Sequence, residues 1–367
     1  MYIERLVDKQ FTRALVIDHE LRKGDIAILI LALFLSIFHC MILFRKELRS
    51  SFIFILMNGI CIADIFRHLG LLYIDIKMIL DFGRTNYCYG YDSFRVTIVN
   101  IIISSVFSFS TSISSWLSFW VVLFRTVSII FPMSANSQKL METSVAVKTI
   151  FITVFFVVAY SLSIRTGEYT VEKKTDDICF EIGNRSMLEK DQYIQGMASI
   201  NFLLGYNVIG FELVVLVCKP IVHFILTSIL LNALKEVAKL RKHVKKDENE
   251  QNKNTLMLIT VISVFYFVSM FPQSLLNAWR LITTPNGHNL CVSILSSNKT
   301  FFRVLIYFFI VPTNILISLN SCSHPIICIF LSSQYRDAVK TLLGIGKGGT
   351  TVWTEQATGP FANSLTG

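Results

Sequence analysis

An arginine at the end of a long apolar stretch is the residue whose type and position most suggest chemistry. Arg125 follows the apolar run Trp116–Phe124, and Pro132 stands seven residues after it. Hydrocarbon tolerates a guanidinium group only near the lipid interface or inside a helix bundle. Arg125, with Thr126 and Pro132, is therefore predicted to take part in the mechanism. The alternative is an arginine that snorkels and simply marks the lipid interface.

The second candidate is a carboxylate inside another apolar stretch. Asp64 stands within the run Phe52–Tyr73. An acidic side chain near mid-bilayer costs about 2.5–3.5 kcal/mol on insertion scales, so Asp64 needs partners. Arg67 lies three residues further on, which places both side chains on one helix face, near enough to interact. An Asp64–Arg67 ion pair is one reading of this region.

Composition indicates that these charges lie in a membrane. Of the 367 residues, 53% are hydrophobic and only 16% are charged, with a mean hydropathy of +0.57. A soluble domain carries about 25% charged residues, and a spanning helix needs about 20 apolar residues. Helices satisfy every backbone group within lipid, so the fold class is predicted to be an all-α membrane protein with seven spans. The predicted spans are Ile26–Phe44, Phe52–Tyr73, Val96–Phe124, Val145–Ile164, Ile200–Leu231, Leu256–Trp279 and Phe302–Leu331.

The chain divides into three predicted parts. Residues 1–24 are polar and of mixed charge, and they are predicted to form an extracellular N-terminal tail. Residues 25–343 form the seven-transmembrane domain. Residues 344–367 are rich in Gly and Thr and are predicted to be a disordered cytoplasmic tail.

The loops give two indications of orientation. Lysine and arginine are concentrated in the segment after the fifth span, between Lys235 and Lys246, and basic loops favour the cytoplasmic side. Two glycosylation acceptors, Asn184 and Asn298, stand in the connections after the fourth and sixth spans, which face the same side. We therefore predict a multi-pass plasma-membrane protein with its N-terminus outside and its C-terminus in the cytoplasm.

The eight cysteines divide by position. Five lie in predicted spans, where free thiols behave as small apolar residues. The other three, Cys88, Cys179 and Cys291, lie on the predicted outer side, which is oxidising. A bridge between Cys88 and Cys179 would tie the top of the third span to the connection between the fourth and fifth spans. The alternative is three unpaired thiols.

At this point the chain resembles the rhodopsin-like G-protein-coupled receptors over about residues 25–340. Phe124-Arg125-Thr126 fills the slot of the family's Asp-Arg-Tyr, and His324-Pro325-Ile-Ile-Cys328 fills that of Asn-Pro-x-x-Tyr. Phe124 replaces the acid that normally holds the arginine. The remaining matches are Asp64 as the buried acid, Pro220 and Pro272 as the span prolines, and Ser332–Arg336 as the start of a short amphipathic eighth helix.

A closer similarity is to the nematode serpentine chemoreceptors of class W, which are similar to FMRFamide-type peptide receptors. It rests on Phe38-His39, Arg125-Thr with Phe131-Pro-Met-Ser134, and the Ser-Ser-Gln-Tyr-Arg ending. The resemblance implies a receptor that binds an extracellular peptide or small polar ligand and activates a heterotrimeric G protein. It also implies a location in the plasma membrane, with a sensory cilium as one expected place.

The resemblance further implies two buried sites and three switch prolines. Around Asp64 it places a sodium or proton pocket formed with Ser114, Asn320, Ser321 and His324, so Na⁺ is the expected ion. Pro220, Pro272 and Pro325 are expected to act as switch positions, because proline kinks a helix. The candidate ligand-binding residues in the outer half of the bundle are Arg67, Asp75, Glu212, Gln273, Asn277 and Asn314. Arg67 and Glu212 are the strongest candidates, because an unpaired charge there would be expensive; the alternative is that they neutralise charges on other helices.

Other classes of protein fit less well. A polytopic transporter is the main alternative, but transporters show internal repeats with broken helices at matching positions, and none is found. The sequence has no nucleophile elbow and no His/Glu pair at metalloprotease spacing, so no enzyme activity, cofactor or resident metal is expected. Nucleic acid is not an expected partner.

Overall fold

The computed structural model describes residues 2–81, 93–131, 134–165, 169–174, 180–181, 184–187, 192–197, 218–233, 236, 257, 261–276, 278 and 299–345. Helices dominate this part of the chain. In chain order they are α1 (Tyr2–Leu43), α2 (Phe52–Asp81), α3 (Phe94–Ile130), α4 (Ala135–Leu140), α5 (Thr143–Arg165), α6 (Cys218–Ala233), α7 (Val261–Leu276), α8 (Lys299–Leu331) and α9 (Ser333–Leu342).

Helix length and hydropathy agree with the predicted spans. Five segments are long and apolar enough to cross a membrane, within α1, α2, α3, α5 and α8. The shorter apolar helices α6 and α7 lie inside the predicted fifth and sixth spans. The predicted class, a bundle of seven transmembrane helices with a short helix after the last span, is confirmed.

The core of the bundle lies between α1, α2, α3 and α8. α2 packs along α1 and α3, and α1 also packs along α8. Buried leucine, isoleucine and phenylalanine side chains fill the space where these helices meet, among them Leu48, Leu56 and Leu117. Large apolar side chains on the outer faces are exposed, as on α5, where Phe151 and Phe155 point away from the bundle. Apolar outer faces of this kind suit contact with lipid.

Two two-stranded antiparallel sheets lie between α5 and α6. Strands β1 (Tyr169–Lys174) and β4 (Gln192–Met197) pair in one sheet, and β2 (Phe180–Glu181) and β3 (Asn184–Met187) pair in the other. Both β1 and β4 contact α3. The connection after the fourth span therefore contains strands, which the all-helical prediction did not include.

The short helix α9 is held against the bundle through Tyr335. Ser332 caps its first turn by accepting a hydrogen bond from the Tyr335 backbone N–H at 3.2 Å. The Tyr335 ring is fully buried, and its hydroxyl lies 2.7 Å from His39 Nδ1 of α1. Gly344 follows the helix with φ +68°, the left-handed conformation that commonly ends a helix. This chain of contacts fixes α9 beside the cytoplasmic end of α1 in the predicted orientation.

The N-terminal part of the chain continues the first span. α1 begins at Tyr2 and runs to Leu43 without interruption, so described residues before position 25 are helical. The candidate membrane span within α1, Val16–Leu43, overlaps the predicted span Ile26–Phe44. Asp18 and Arg22, which the prediction assigned to the extracellular tail, are helical and buried.

Glycine allows α2 and α3 to approach closely at one point. A Cβ atom on Gly70 would lie 2.9 Å from Phe107 Cβ, a distance that requires the two helices to move. Gly24 in α1 has nothing within 4 Å of the same position. The two glycines thus differ in packing, although both are helical.

We expect Gly70→Ala to lower the free energy of unfolding by about 1–3 kcal/mol, because overpacking displaces α3. Gly24→Ala is the matched control, and it should be neutral or stabilising by up to about 1 kcal/mol, since alanine favours helix. Thermal unfolding of the two purified variants in detergent measures the difference. Equal effects of the two substitutions would contradict the close α2–α3 contact.

Candidate functional site

Asp64 joins three helices at the centre of the bundle. Its side chain is buried, with the residue 2% exposed. Its Oδ1 accepts a hydrogen bond from Ser114 Oγ of α3 at 2.8 Å, and its Oδ2 accepts one from Ser321 Oγ of α8 at 2.7 Å. A buried carboxylate that is satisfied on both oxygens stabilises the packing of α2 against both neighbours.

Arg67 supplies the positive charge at this centre. Its Nη2 lies 3.5 Å from Asp64 Oδ1 and donates a hydrogen bond to Ser321 Oγ at 2.7 Å. Arg67 is itself buried, so the carboxylate and the guanidinium neutralise each other in a dry environment. These contacts agree with the alternative that Arg67 neutralises Asp64 and joins α2 to α8, and its role in ligand binding stays a prediction.

Of the residues predicted for the sodium pocket, Ser114 and Ser321 contact Asp64, and Arg67 supplies a positive charge beside it. Ser114 and Ser321 both donate to Asp64, and Ser321 Oγ also accepts from Arg67 Nη2. The residues therefore fit the ion pair better than they fit Na⁺, which stays a prediction. Within the described residues, Asn320 Oδ1 and His324 Nε2 are buried without a hydrogen-bond partner.

A second polar contact links α3 to α7. The hydroxyl groups of Ser115 and Tyr266 form a hydrogen bond, and the Tyr266 hydroxyl also donates to the Ser115 carbonyl at 3.2 Å. The His223 ring of α6 packs on the Tyr266 ring with centroids 4.6 Å apart. Tyr266 therefore connects α3, α6 and α7 at Ser115, the residue directly after the Ser114 that contacts Asp64.

A small cavity lies beside Tyr266 and has room for about one water molecule. His223 and His324 both line it, and the Nε2 atom of each is buried with no partner among the described residues. The other lining residues are Ile53, Met57, Ile60, Ser118, Val121, Val122, Ile262, Ser263 and Tyr266. The cavity thus separates the Asp64 contacts from the end of α3 that carries Arg125.

Arg125 lies in the last turns of α3 and is half-buried. Its Nε is buried, and no described residue accepts a hydrogen bond from it. Phe124, which stands where the related receptors carry an acid, stacks on Trp120 with centroids 5.6 Å apart and meets Phe52 edge-on at 5.2 Å. Arg125 therefore has no anionic neighbour within its own turn. The neighbouring Thr126 is buried and donates to the Val122 carbonyl at 2.8 Å.

Of the other predicted ligand-binding residues, the structure describes Asp75, Gln273 and Asn314. Asp75 is fully buried and paired with Arg22 of α1, a partner that the sequence did not suggest. Gln273 in α7 and Asn314 in α8 are half-buried. Glu212 and Asn277 lie outside the described residues. These five positions stay predictions.

The remaining predicted sites divide between described and masked parts of the chain. Pro220 lies in α6, Pro272 in α7, and both Pro312 and Pro325 lie inside α8. Cys40, Cys61, Cys218, Cys322 and Cys328 are free thiols, as expected for the spans. Asn184 is the first residue of β3, although its side chain is not described. Pro132, Cys88, Cys179, Cys291 and Asn298 lie outside the described residues.

The helices and the buried polar contacts define a multi-pass membrane protein of the seven-helix receptor class. The family model described as "Serpentine type 7TM GPCR chemoreceptor Srw" matches residues 25–346. The chain belongs to this family. No curated protein matches the chain. Membership confirms the resemblance to class W serpentine chemoreceptors and is consistent with a receptor rather than an enzyme.

Sequence reasoning missed several buried polar residues. Tyr266 and Ser115 could have been found, since a hydroxyl in an apolar run at mid-span requires a partner. Asp18 and Arg22 carry a clearer signal, because opposite charges four residues apart commonly pair on a helix. The Asp18–Arg22 pair was not predicted, because both residues were assigned to the extracellular tail.

The Arg67 contacts predict that sodium has little effect on the native protein. Exchanging NaCl for choline chloride at constant ionic strength should leave the unfolding temperature unchanged, because the guanidinium already neutralises Asp64. Arg67→Met removes this charge and should make stability depend on Na⁺. The double variant Asp64→Asn/Arg67→Met is the control and should lose that dependence. A native protein that is stabilised by Na⁺ would show that the ion, not Arg67, balances Asp64.

Proposed function

We propose that this chemoreceptor binds an extracellular peptide or small polar ligand and activates a heterotrimeric G protein. The observation that carries the proposal is Arg125, a desolvated arginine at the end of α3 with no acidic neighbour in its turn. A guanidinium in this position is available to meet a protein partner at the mouth of the bundle. Membership of a receptor family supports the same conclusion.

Activation is a shift between two packings of one bundle. Two contacts can change partners when the helices move: the Asp64–Arg67–Ser321 group, which joins α2 to α8, and the Ser115–Tyr266 hydrogen bond, which joins α3 to α7. Prolines in α6, α7 and α8 weaken the backbone of the helices that carry these contacts. A ligand shifts the equilibrium only by its difference in affinity for the two packings.

The ligand would bind in the half of the bundle that contains Asp75. Asp75, Glu212, Gln273, Asn277 and Asn314 remain the proposed contacts, because they add polar groups to an otherwise apolar bundle. Arg67 takes a structural part in this proposal, since its charge is already balanced by Asp64. Arg125, Thr126 and Pro132 would form the part of the receptor that couples to the G protein.

The proposed orientation has the N-terminus outside and the C-terminus in the cytoplasm. It is supported by the two glycosylation acceptors, Asn184 and Asn298, and by the basic segment between Lys235 and Lys246. The plasma membrane, and the sensory cilium as one part of it, is the proposed location. In this orientation α9 and Arg125 share the cytoplasmic side.

Arg125→Ala should abolish G-protein activation while surface delivery stays intact, because the guanidinium is needed only for coupling. The assay is nucleotide exchange on a promiscuous Gα in a heterologous cell exposed to peptide and odorant libraries. Arg95→Ala is the matched control, since Arg95 is an exposed arginine in the first turn of the same helix. Wild-type efficacy in Arg125→Ala would remove Arg125 from the coupling site.

The proposed disulfide gives an independent expectation. If Cys88 and Cys179 are partners, Cys88→Ser, Cys179→Ser and the double variant should lose surface expression to the same extent, because each removes one bond. Cys291→Ser is the matched control and should have little effect. Losses that add in the double variant would mean that the two thiols act separately.

A further inference from the structure

Four charged side chains are buried where α1 packs against α2. Asp18, Arg22 and Asp25 belong to α1, and Asp75 belongs to α2. Asp25 and Asp75 have no exposed surface, and the other two are at most 6% exposed. The receptor function proposed above gives no role to Asp25, so its burial calls for a separate explanation.

The guanidinium of Arg22 pairs with two of the three carboxyl groups. Its Nε lies 2.7 Å from Asp18 Oδ2, and its Nη1 pairs with Asp75 Oδ1. Both oxygens of Asp25 and the second oxygen of Asp75 receive no hydrogen bond from an N–H or O–H group of the described residues. Arg22 therefore does not satisfy the Asp25 carboxyl group.

The Asp25 and Asp75 carboxyl groups lie within hydrogen-bond contact of each other. Ionised carboxylates accept hydrogen bonds but cannot donate them, whereas a protonated carboxyl group carries one O–H donor. Two carboxylates that share a buried site do not both ionise, because like charges in contact repel. A single proton on one of the two groups converts this repulsion into a hydrogen bond across the helix interface.

We propose that Asp25 and Asp75 form a binding site for one shared proton, and that this proton holds α1 against α2. With the proton bound, the two carboxyl groups together carry one negative charge, which lies beside Arg22. Without it they carry two negative charges, while the same guanidinium also has to balance Asp18. The contact between the two helices therefore depends on pH.

The charged groups that act on the pair from outside it are Arg22 and Asp18. Two buried histidines, His68 of α2 and His324 of α8, interact instead with Asp64 and Arg67. Acids, lysines and arginines are absent from the described side chains of α8, residues 309–330, which also packs on α1. The pair thus has one positive neighbour, which is shared.

Helices α3 and α5 pack on α2 as well. Their described lysines and arginines are Arg95 and Lys148, which are exposed, and Arg125, which lies in the last turns of α3. On α2 itself Lys77 stands two residues after Asp75, on a different face of the helix. Titration of the Asp25–Asp75 pair is therefore the change that pH is expected to make at this contact.

The direction of the effect follows from proton linkage. The folded pair keeps a proton that the separated carboxyl groups of the unfolded chain give up near their ordinary pKa of about 4. Folding therefore takes up a proton, and the contribution of the pair to stability falls as pH rises until the folded pair has also ionised. In the proposed orientation the pair lies toward the outer side of the membrane, so the external solution supplies the proton.

The test compares the native full-length chain with Asp25→Asn, both purified in detergent. Asparagine keeps the shape of the side chain and offers Asp75 an N–H donor at every pH, so the variant imitates the protonated pair. The unfolding temperature is measured from about pH 5 to about pH 8. Relative to Asp25→Asn, the native value should fall by about 3 °C or more across this range, which leaves the variant the more stable chain at the alkaline end.

Glu20→Gln is the matched control, because it also removes one carboxylate from α1. Glu20 is exposed and pairs with Lys23 at 2.7 Å, so this variant should follow the pH dependence of the native chain. If Asp25→Asn fails to fold, the infrared spectrum of the native chain decides the question. A protonated carboxyl group at neutral pH, where an ordinary aspartate is ionised, supports the shared proton, and the absence of one overturns it.

Two thermal results would also overturn the proposal. One is a native chain and an Asp25→Asn variant whose unfolding temperatures change in parallel with pH. The other is an Asp25→Asn variant that is less stable than the native chain over the whole range, which would mean that the charge of Asp25 stabilises the fold. Neither measurement involves a G protein, so failure here leaves the proposed receptor function to its own tests.

Discussion

The bundle depends on charge neutralisation within a medium that does not solvate ions. Asp64 and Arg67 lie three residues apart on α2, and each also contacts Ser321 of α8. Burying either side chain alone would destabilise the bundle, because breaking a buried pair leaves an uncompensated charge that costs about 3–5 kcal/mol. Because Ser114 of α3 shares the same carboxylate, the positions of three helices follow from this one pair. Apolar packing then fills the space that the polar contacts define.

This arrangement differs from a pocket that takes its counter-ion from solution. A guanidinium fixed to the protein has a constant occupancy, and its position relative to Ser321 changes only when α2 or α8 moves. A second buried ion pair joins α2 to α1, because Arg22 of α1 pairs with both Asp18 and Asp75.

The class of fold was predictable because lipid permits few solutions. Long apolar runs must form helices, and their positions in α1, α2, α3, α5 and α8 agree with the sequence apart from their ends. The Asp64–Arg67 pair was also predictable from spacing. Contacts between distant helices were not, because Tyr266 and Ser115 are 151 residues apart and no periodicity brings them together. The same holds for Arg22 and Asp75, which are 53 residues apart, because Arg22 was predicted to lie in the extracellular tail and lies within α1.

The length of α1 has a mechanical consequence. Its 42 residues span about 63 Å at 1.5 Å per residue, roughly twice the thickness of the hydrocarbon core. The helix therefore extends beyond the lipid, and the segment before Arg22 is about 30 Å long. α1 contacts α2 through Arg22 and α9 through His39. A tilt of about 10° at these contacts would move the first residues of α1 by about 5 Å, because the segment before Arg22 is about 30 Å long at this rise per residue. Small changes in how the first helix leans against the bundle are thereby amplified into displacements large enough to measure at the N-terminus.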